Sequence, residues 1–103
     1  MQVVVTDAAE QHRYEARVDG ELAAIAEYIA TPGLVVMTHT EVLSGHEGQG
    51  VASELVRQAL EDVRRQGAKV LPLCPFVSGW MRRHDGYDDL EYRSRTTITA
   101  ASS

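Results

Sequence analysis

The sequence predicts an α+β domain, an antiparallel β-meander followed by a β-α-β crossover and a short C-terminal helix. Three observations predict it. Period-two alternation with hairpin turn chemistry fills the chain up to Val42. One amphipathic stripe of helical period follows. Behind it lies a short apolar run, the partner strand that a crossover needs.

Val3 to Thr6 is a β-branched run, ending at Asp7. Arg13 to Val18 alternates polar and apolar residues, the mark of a half-buried strand. Asp19-Gly20 suits a type I′ turn, in which both central residues need positive φ. Glu21 to Ala30 then returns as a strand, although its Ala-rich centre has equal helical propensity. Asp19-Gly20 and Pro32-Gly33 bracket it as hairpin punctuation. Leu34 to Val42 is the strongest strand, with Leu34, Val36, Thr38 and Thr40 on one face and Val35, Met37, His39 and Glu41 on the other. After Gly45 the period changes. Val51, Leu55, Val56, Ala59, Leu60 and Val63 form a helical stripe, with Glu61 and Arg65 spaced i, i+4 on the wet face and Gly67 as its C′ residue. Lys69 to Cys74 reads as a buried strand stopped by Pro75, and Val77 to Arg83 as a short helix. Residues 93–103 lack an apolar period and read as a loose tail behind a domain of residues 1–92.

The 103 residues suit one domain, and 44% hydrophobic with 24% charged residues is a folded composition. A net charge of -5 speaks against bulk nucleic-acid binding, which needs a basic footprint. The lone Cys74 excludes an internal disulfide and any zinc site with two cysteines, so no metal is expected. No signal-like leader and no apolar run near the roughly 20 residues of a membrane span is seen, so the expected setting is the cytoplasm, away from the membrane.

Chemistry concentrates in Ser44-Gly45-His46-Glu47-Gly48-Gln49-Gly50, which joins the strongest strand to the long helix. Its glycines permit close backbone approach, and the amides opening a helix favour a phosphate or diphosphate. No Gly-Lys-Ser/Thr follows, so it is not a Walker loop, and the glycine spacing is not that of a dinucleotide fold.

Gly48-Gln49-Gly50-Val51-Ala52 resembles the acetyl-CoA loop of the Gcn5-related N-acetyltransferases, patterned Arg/Gln-x-x-Gly-x-Gly/Ala. Gly50 and Ala52 fill the last two key positions, and Glu47 stands where Arg or Gln is usual. Arg13-Tyr14-Glu15, His39-Thr40-Glu41-Val42, Pro72-Leu73-Cys74-Pro75-Phe76-Val77, Arg82-Arg83-His84 and Tyr87 extend the likeness to the minimal YjdJ/NATD1-like branch, over about residues 2–92. The resemblance implies a minimal acetyltransferase fold and an enzyme carrying acetyl from acetyl-CoA to an unidentified small-molecule or peptide amine. The alternative is an acetyl-CoA- or CoA-binding module with little transfer. It implies a cofactor site of Val42, Leu43, Ser44, Glu47, Gly48, Gln49, Gly50, Val51, Ala52 and Ser53. Phe76 packs in the core or lines the pantetheine arm, and Arg83, with Arg82 and His84, either approaches the CoA phosphates or solvates the helix end.

Acetyl transfer needs a base for the amine and a proton or dipole for the leaving thiolate. A free imidazole suits the part of a base at neutral pH, so His39 is a candidate base, or it is a strand histidine bonded to its neighbours. Glu41, two residues on, orients that imidazole, acts as a second base, or is an exposed strand-end carboxylate. Cys74 is a small buried hydrophobe, or a thiol activated at a helix start; the resemblance makes it a site residue. Phe76 and Trp80, four apart, share a helix face by default as core. His12 and His46 receive no role.

Overall fold

Asp19 and Gly20 turn the chain at φ of 52° and 80°, the pair of positive angles a type I′ hairpin requires. The strand before them, β2 (Arg13–Val18), therefore lies antiparallel to the strand after them, β3 (Glu21–Thr31). In the computed structural model, which describes residues 2–93, they belong to a five-stranded sheet with strands in sequence order. β1 (Val3–Ala8) pairs antiparallel with β2, and β4 (Leu34–Val42) antiparallel with β3. Helix α1 (Val51–Arg65) then carries the chain over to β5 (Lys69–Pro72), which runs parallel to β4, and α2 (Pro75–Arg83) follows. The fold is α+β, in the predicted order. Of the expected tail, Arg93 alone falls within the described residues, paired with Asp88; the rest lies outside them.

The Ala-rich centre of β3 is strand because tertiary packing overrides propensity. Ala24 and Ala26 pair with Ala16 and Tyr14 of β2, and all three alanines are fully buried beneath the helices. α1 buries the whole predicted stripe, Val51, Leu55, Val56, Ala59, Leu60 and Val63. It ends in a Schellman motif: Gly67, at φ 75°, donates to Arg64, and Ala68 donates to Val63. The expected Glu61–Arg65 pair does not form. Arg65 bonds Asp62, and Glu61 accepts from Tyr87.

Three boundaries differ from the sequence expectation. β1 runs on to Ala8, because Asp7 and Ala8 keep their β2 partners. β5 stops at Pro72: the Leu73 amide turns back to the Leu71 carbonyl, and Cys74 begins the turn into α2. α2 starts two residues early because Pro75 occupies its first position, where a missing N–H costs nothing.

The largest difference is a bulge in β4. Glu27 faces His39 while Tyr28 faces Met37, so Thr38 is an extra residue without a partner. Beyond it the strand's alternation is inverted. Val35 and Met37 point into the core beneath the helices, and past the bulge Thr40 and Val42 take over that face. His39 and Glu41 turn to the opposite face, so they do not share a face with Met37 as the unbroken alternation predicts.

Both helices cover one face of the sheet. Trp80 of α2 and Ser53 of α1 meet there, and the core is one continuous cluster. Along the outer face the Glu15 carboxylate lies buried between the Arg13 and Arg17 guanidiniums, each 2.8 Å away.

Candidate active site and glycine loop

β4 and β5 pair only from Leu34↔Lys69 to Met37↔Pro72. Past that point β5 ends, the Cys74 amide makes a last bond to the Met37 carbonyl (2.9 Å), and β4 continues alone to Val42. The two strands part into a gap whose one wall is the free edge of β4. Leu43 donates its amide to Ala23 of β3 at 2.8 Å. In an antiparallel ladder alternate residues face away from the partner, so Thr40 and Val42 direct their backbone groups into the gap.

Cys74 closes this gap. It is the N-cap residue of α2, 5% exposed, with its Sγ 3.4 Å from the Thr40 hydroxyl. Burial pushes its pKa up, but the Thr40 hydroxyl and the amides of Val77, Phe76 and Thr40 outweigh burial and hold the thiol below its ordinary value. The thiol is thus surrounded by donors that stabilise negative charge on sulfur. Phe76 and Leu73 flank it, and both are among the large apolar residues left exposed, unlike the buried Trp80. The expected shared core face of Phe76 and Trp80 is not formed.

At the mouth of the gap the chain enters the glycine loop. Gly45, Gly48 and Gly50 all have positive φ, and Gly50, at 77°, is the N-cap of α1 with no side-chain cap. Glu54 is the first helical residue to bond back, to the Gly50 carbonyl. The amides of Gly48, Gln49, Gly50, Val51, Ala52 and Ser53 have no acceptor among the described residues, a run of donors at the positive end of the helix dipole. Glu47, the departure from the loop pattern, turns its carboxylate onto the Gly45 amide at 2.9 Å. His46, given no role by the sequence, ties the loop to the β2–β3 hairpin through Glu21 at 3.0 Å.

The predicted catalytic trio is therefore split. Cys74 stands on the helix side of the sheet, with Thr40 as its partner. His39 and Glu41 stand 3.4 Å apart on the outer face, each side chain about half exposed, one on either side of Thr40 in sequence. The alternation along β4 gives Thr40 a face and no role, and nothing in the local pattern marks the bulge that turns it toward the thiol. Arg83 is exposed at the end of α2, folded back against Gly79.

A cleft of about 410 Å³ lies elsewhere, between β1, β2 and the second half of α1. There Tyr14 donates to Asp62 (2.8 Å) and Tyr28 to Asp7 (2.5 Å). Burial, then the carboxylate acceptors, drive both phenols far above their ordinary range, so they stay protonated and serve packing.

The model of the GCN5-related N-acetyl-transferase family matches residues 13–90. Among solved structures, the chain is similar to a GCN5-like candidate N-acetyltransferase from Staphylococcus aureus, with a TM-score of 0.65 at 19% identity over 88% of this chain and 89% of that one. A GNAT family acetyltransferase from Brucella melitensis, solved in complex with acetyl-CoA, gives 0.57 at 25% identity over 74% of this chain and 54% of its own. The ribosomal-protein-S18-alanine N-acetyltransferase of Escherichia coli gives 0.54 at 15% identity, over 58% of this chain and 39% of the enzyme. The chain thus spans about half or less of those two enzymes. No curated protein sequence matches it.

Proposed function

The chain belongs to the GCN5-related N-acetyltransferase family, and from that premise we propose that it binds acetyl-CoA and transfers the acetyl group to an amine. The observation that carries the proposal is the parting of β4 and β5 beside a run of unpaired loop amides, with an electrostatically stabilised thiol in the gap. Those donors fit the group. The amides of Gly48 to Ser53 would take the diphosphate, and the free backbone of Thr40 and Val42, with Leu43 and Ser44, would hold the pantetheine arm as an added strand does. Phe76 would line that arm, and Arg83 would offer charge to the outer phosphate. We read the protein as a minimal member of the YjdJ/NATD1-like kind, a domain of residues 1–92 working in the cytoplasm.

Bound acetyl-CoA supplies an activated acetyl thioester. The chain's own residues manage protons around it. His39, beside Glu41 on the outer face, would take a proton from an acceptor amine that reaches the gap from that side, either from its ammonium before attack or from the neutral amine as it attacks. Cys74, with Thr40, returns a proton to the departing sulfur. Direct attack by the amine needs no protein nucleophile, so Cys74 carries no acetyl group in this scheme.

Native mass spectrometry tests binding, and thiol release from acetyl-CoA with a panel of polyamines and peptides tests transfer. Acetyl-CoA should bind intact and turn over with an amine, and Cys74→Ser should slow turnover about 10- to 100-fold. Binding without turnover on any amine would assign the CoA-binding module instead. Absence of binding would overturn both.

A further inference from the structure

Trp80 is the chain's one tryptophan, and it is buried with its only polar atom committed. Its indole N–H donates to the Ser53 hydroxyl at 2.8 Å. Indole nitrogen is a donor only, so the serine oxygen must accept, and its own proton remains to be donated elsewhere. Ser53 is the third residue of α1, inside the run of unpaired amides, and its proton finds no acceptor among the described residues. No other side chain of that turn competes for the role: Val51 and Ala52 are apolar, and Glu54 is turned along the helix onto Arg57 and Gln58. The indole is itself held. His84 stacks on it at 3.9 Å, Tyr87 meets it edge-on at 4.9 Å, and the His84 ring nitrogen lies 2.8 Å from the Trp80 carbonyl.

A free serine hydroxyl in a helix tends to fold back onto the carbonyl one turn earlier, which hides its proton from any ligand. The indole prevents this by drawing the oxygen toward α2. We infer that Trp80 is a positioning residue for cofactor binding: it holds the Ser53 hydroxyl so that its proton, together with the amides of the α1 first turn, is presented to the diphosphate of CoA. The inference rests on the acetyl-CoA reading above. It also links the diphosphate turn mechanically to α2, the helix that begins at Cys74.

A double-mutant cycle on CoA affinity, measured by calorimetry with Ser53→Ala, Trp80→Phe and the double variant, tests it. Ser53→Ala should weaken CoA binding about tenfold, the scale of a hydrogen bond to a charged group. Trp80→Phe should weaken it several-fold in the wild-type background and by less than about twofold once Ser53 is alanine. A tryptophan that only packs would act equally in both backgrounds, and that result, or unchanged affinity in Trp80→Phe, overturns the inference. If Trp80→Phe does not fold, the single indole N–H resonance of the wild-type protein decides. It should shift on saturation with CoA, and an unmoved resonance overturns the inference. A wild-type protein that does not bind CoA would instead overturn the acetyl-CoA reading, and this inference with it.

Discussion

The Cys74 thiol receives the Thr40 hydroxyl and three backbone amides, and that donor set lets a buried sulfur titrate below its ordinary value. Thr40→Val keeps the shape of the side chain and removes one donor, leaving the opposing push of burial in place. The thiol's pKa should then rise, and alkylation of Cys74 near neutral pH should slow several-fold in the folded protein. An unchanged alkylation rate would show that the amides alone set the thiol. Glu15 presents the reverse case of charge, on the outer face. Its hydrogen bonds from Arg17 and Arg13 hold the carboxyl below its ordinary 4.5 despite burial. A depressed folded pKa contributes stability that is fully present above the unfolded value and lost as pH falls through the folded one. Glu15→Gln should therefore lower the melting temperature at neutral pH, with a loss on the order of 1 kcal/mol because both arginines are partly in water. The gap between variant and wild type should narrow as pH drops below about 4.5. A gap independent of pH would assign the loss to packing.

At the scale of elements, the site is made where regular structure stops. α1 begins without a side-chain cap, so its first amides are left to a ligand, and Gly50 makes that opening possible with φ of 77°. A Cβ there would meet nothing within 4 Å, so the glycine serves the backbone angle and not a close protein contact. Gly50→Val should strain the left-handed turn by about 1–2 kcal/mol and, by displacing the amides, weaken CoA binding at least about tenfold. Chemical denaturation and calorimetry measure the two effects separately, and unchanged CoA affinity in the folded variant would remove the loop from the site. β4 shows the same logic: the extra residue Thr38 breaks the ladder, and that break aims Thr40 at the thiol and His39 at the other face.

At the scale of the whole molecule, two helices on one face of five strands make a single core among the described residues, so binding at the glycine loop should be read by the entire fold. A ligand at one hundred times its Kd stabilises by about 2.7 kcal/mol, which for a domain of this size raises the melting temperature by roughly ten degrees or more. Acetyl-CoA should produce such a shift in the wild-type protein and a smaller one in Gly50→Val at the same concentration. Equal shifts in both proteins would place the ligand elsewhere. None of the described helices is long and apolar enough to cross a membrane.

The sequence by itself determined the order of elements, the hairpin at Asp19-Gly20, the buried stripe of α1 and its glycine stop. Each of these depends on local periodicity, propensity or a backbone angle that few residues accept. It also marked the glycine loop and Cys74, because a backbone-binding loop and a lone thiol are visible as residue types. The tertiary structure alone decided which side chains meet. The Thr38 bulge depends on how β3 and β4 register under the core, and alternation read along one strand cannot detect a skipped partner in another. Hence His39 and Cys74, alike as candidates in the sequence, stand on opposite faces of the sheet, while Thr40 and Trp80 acquire their roles from residues 34 and 27 positions away.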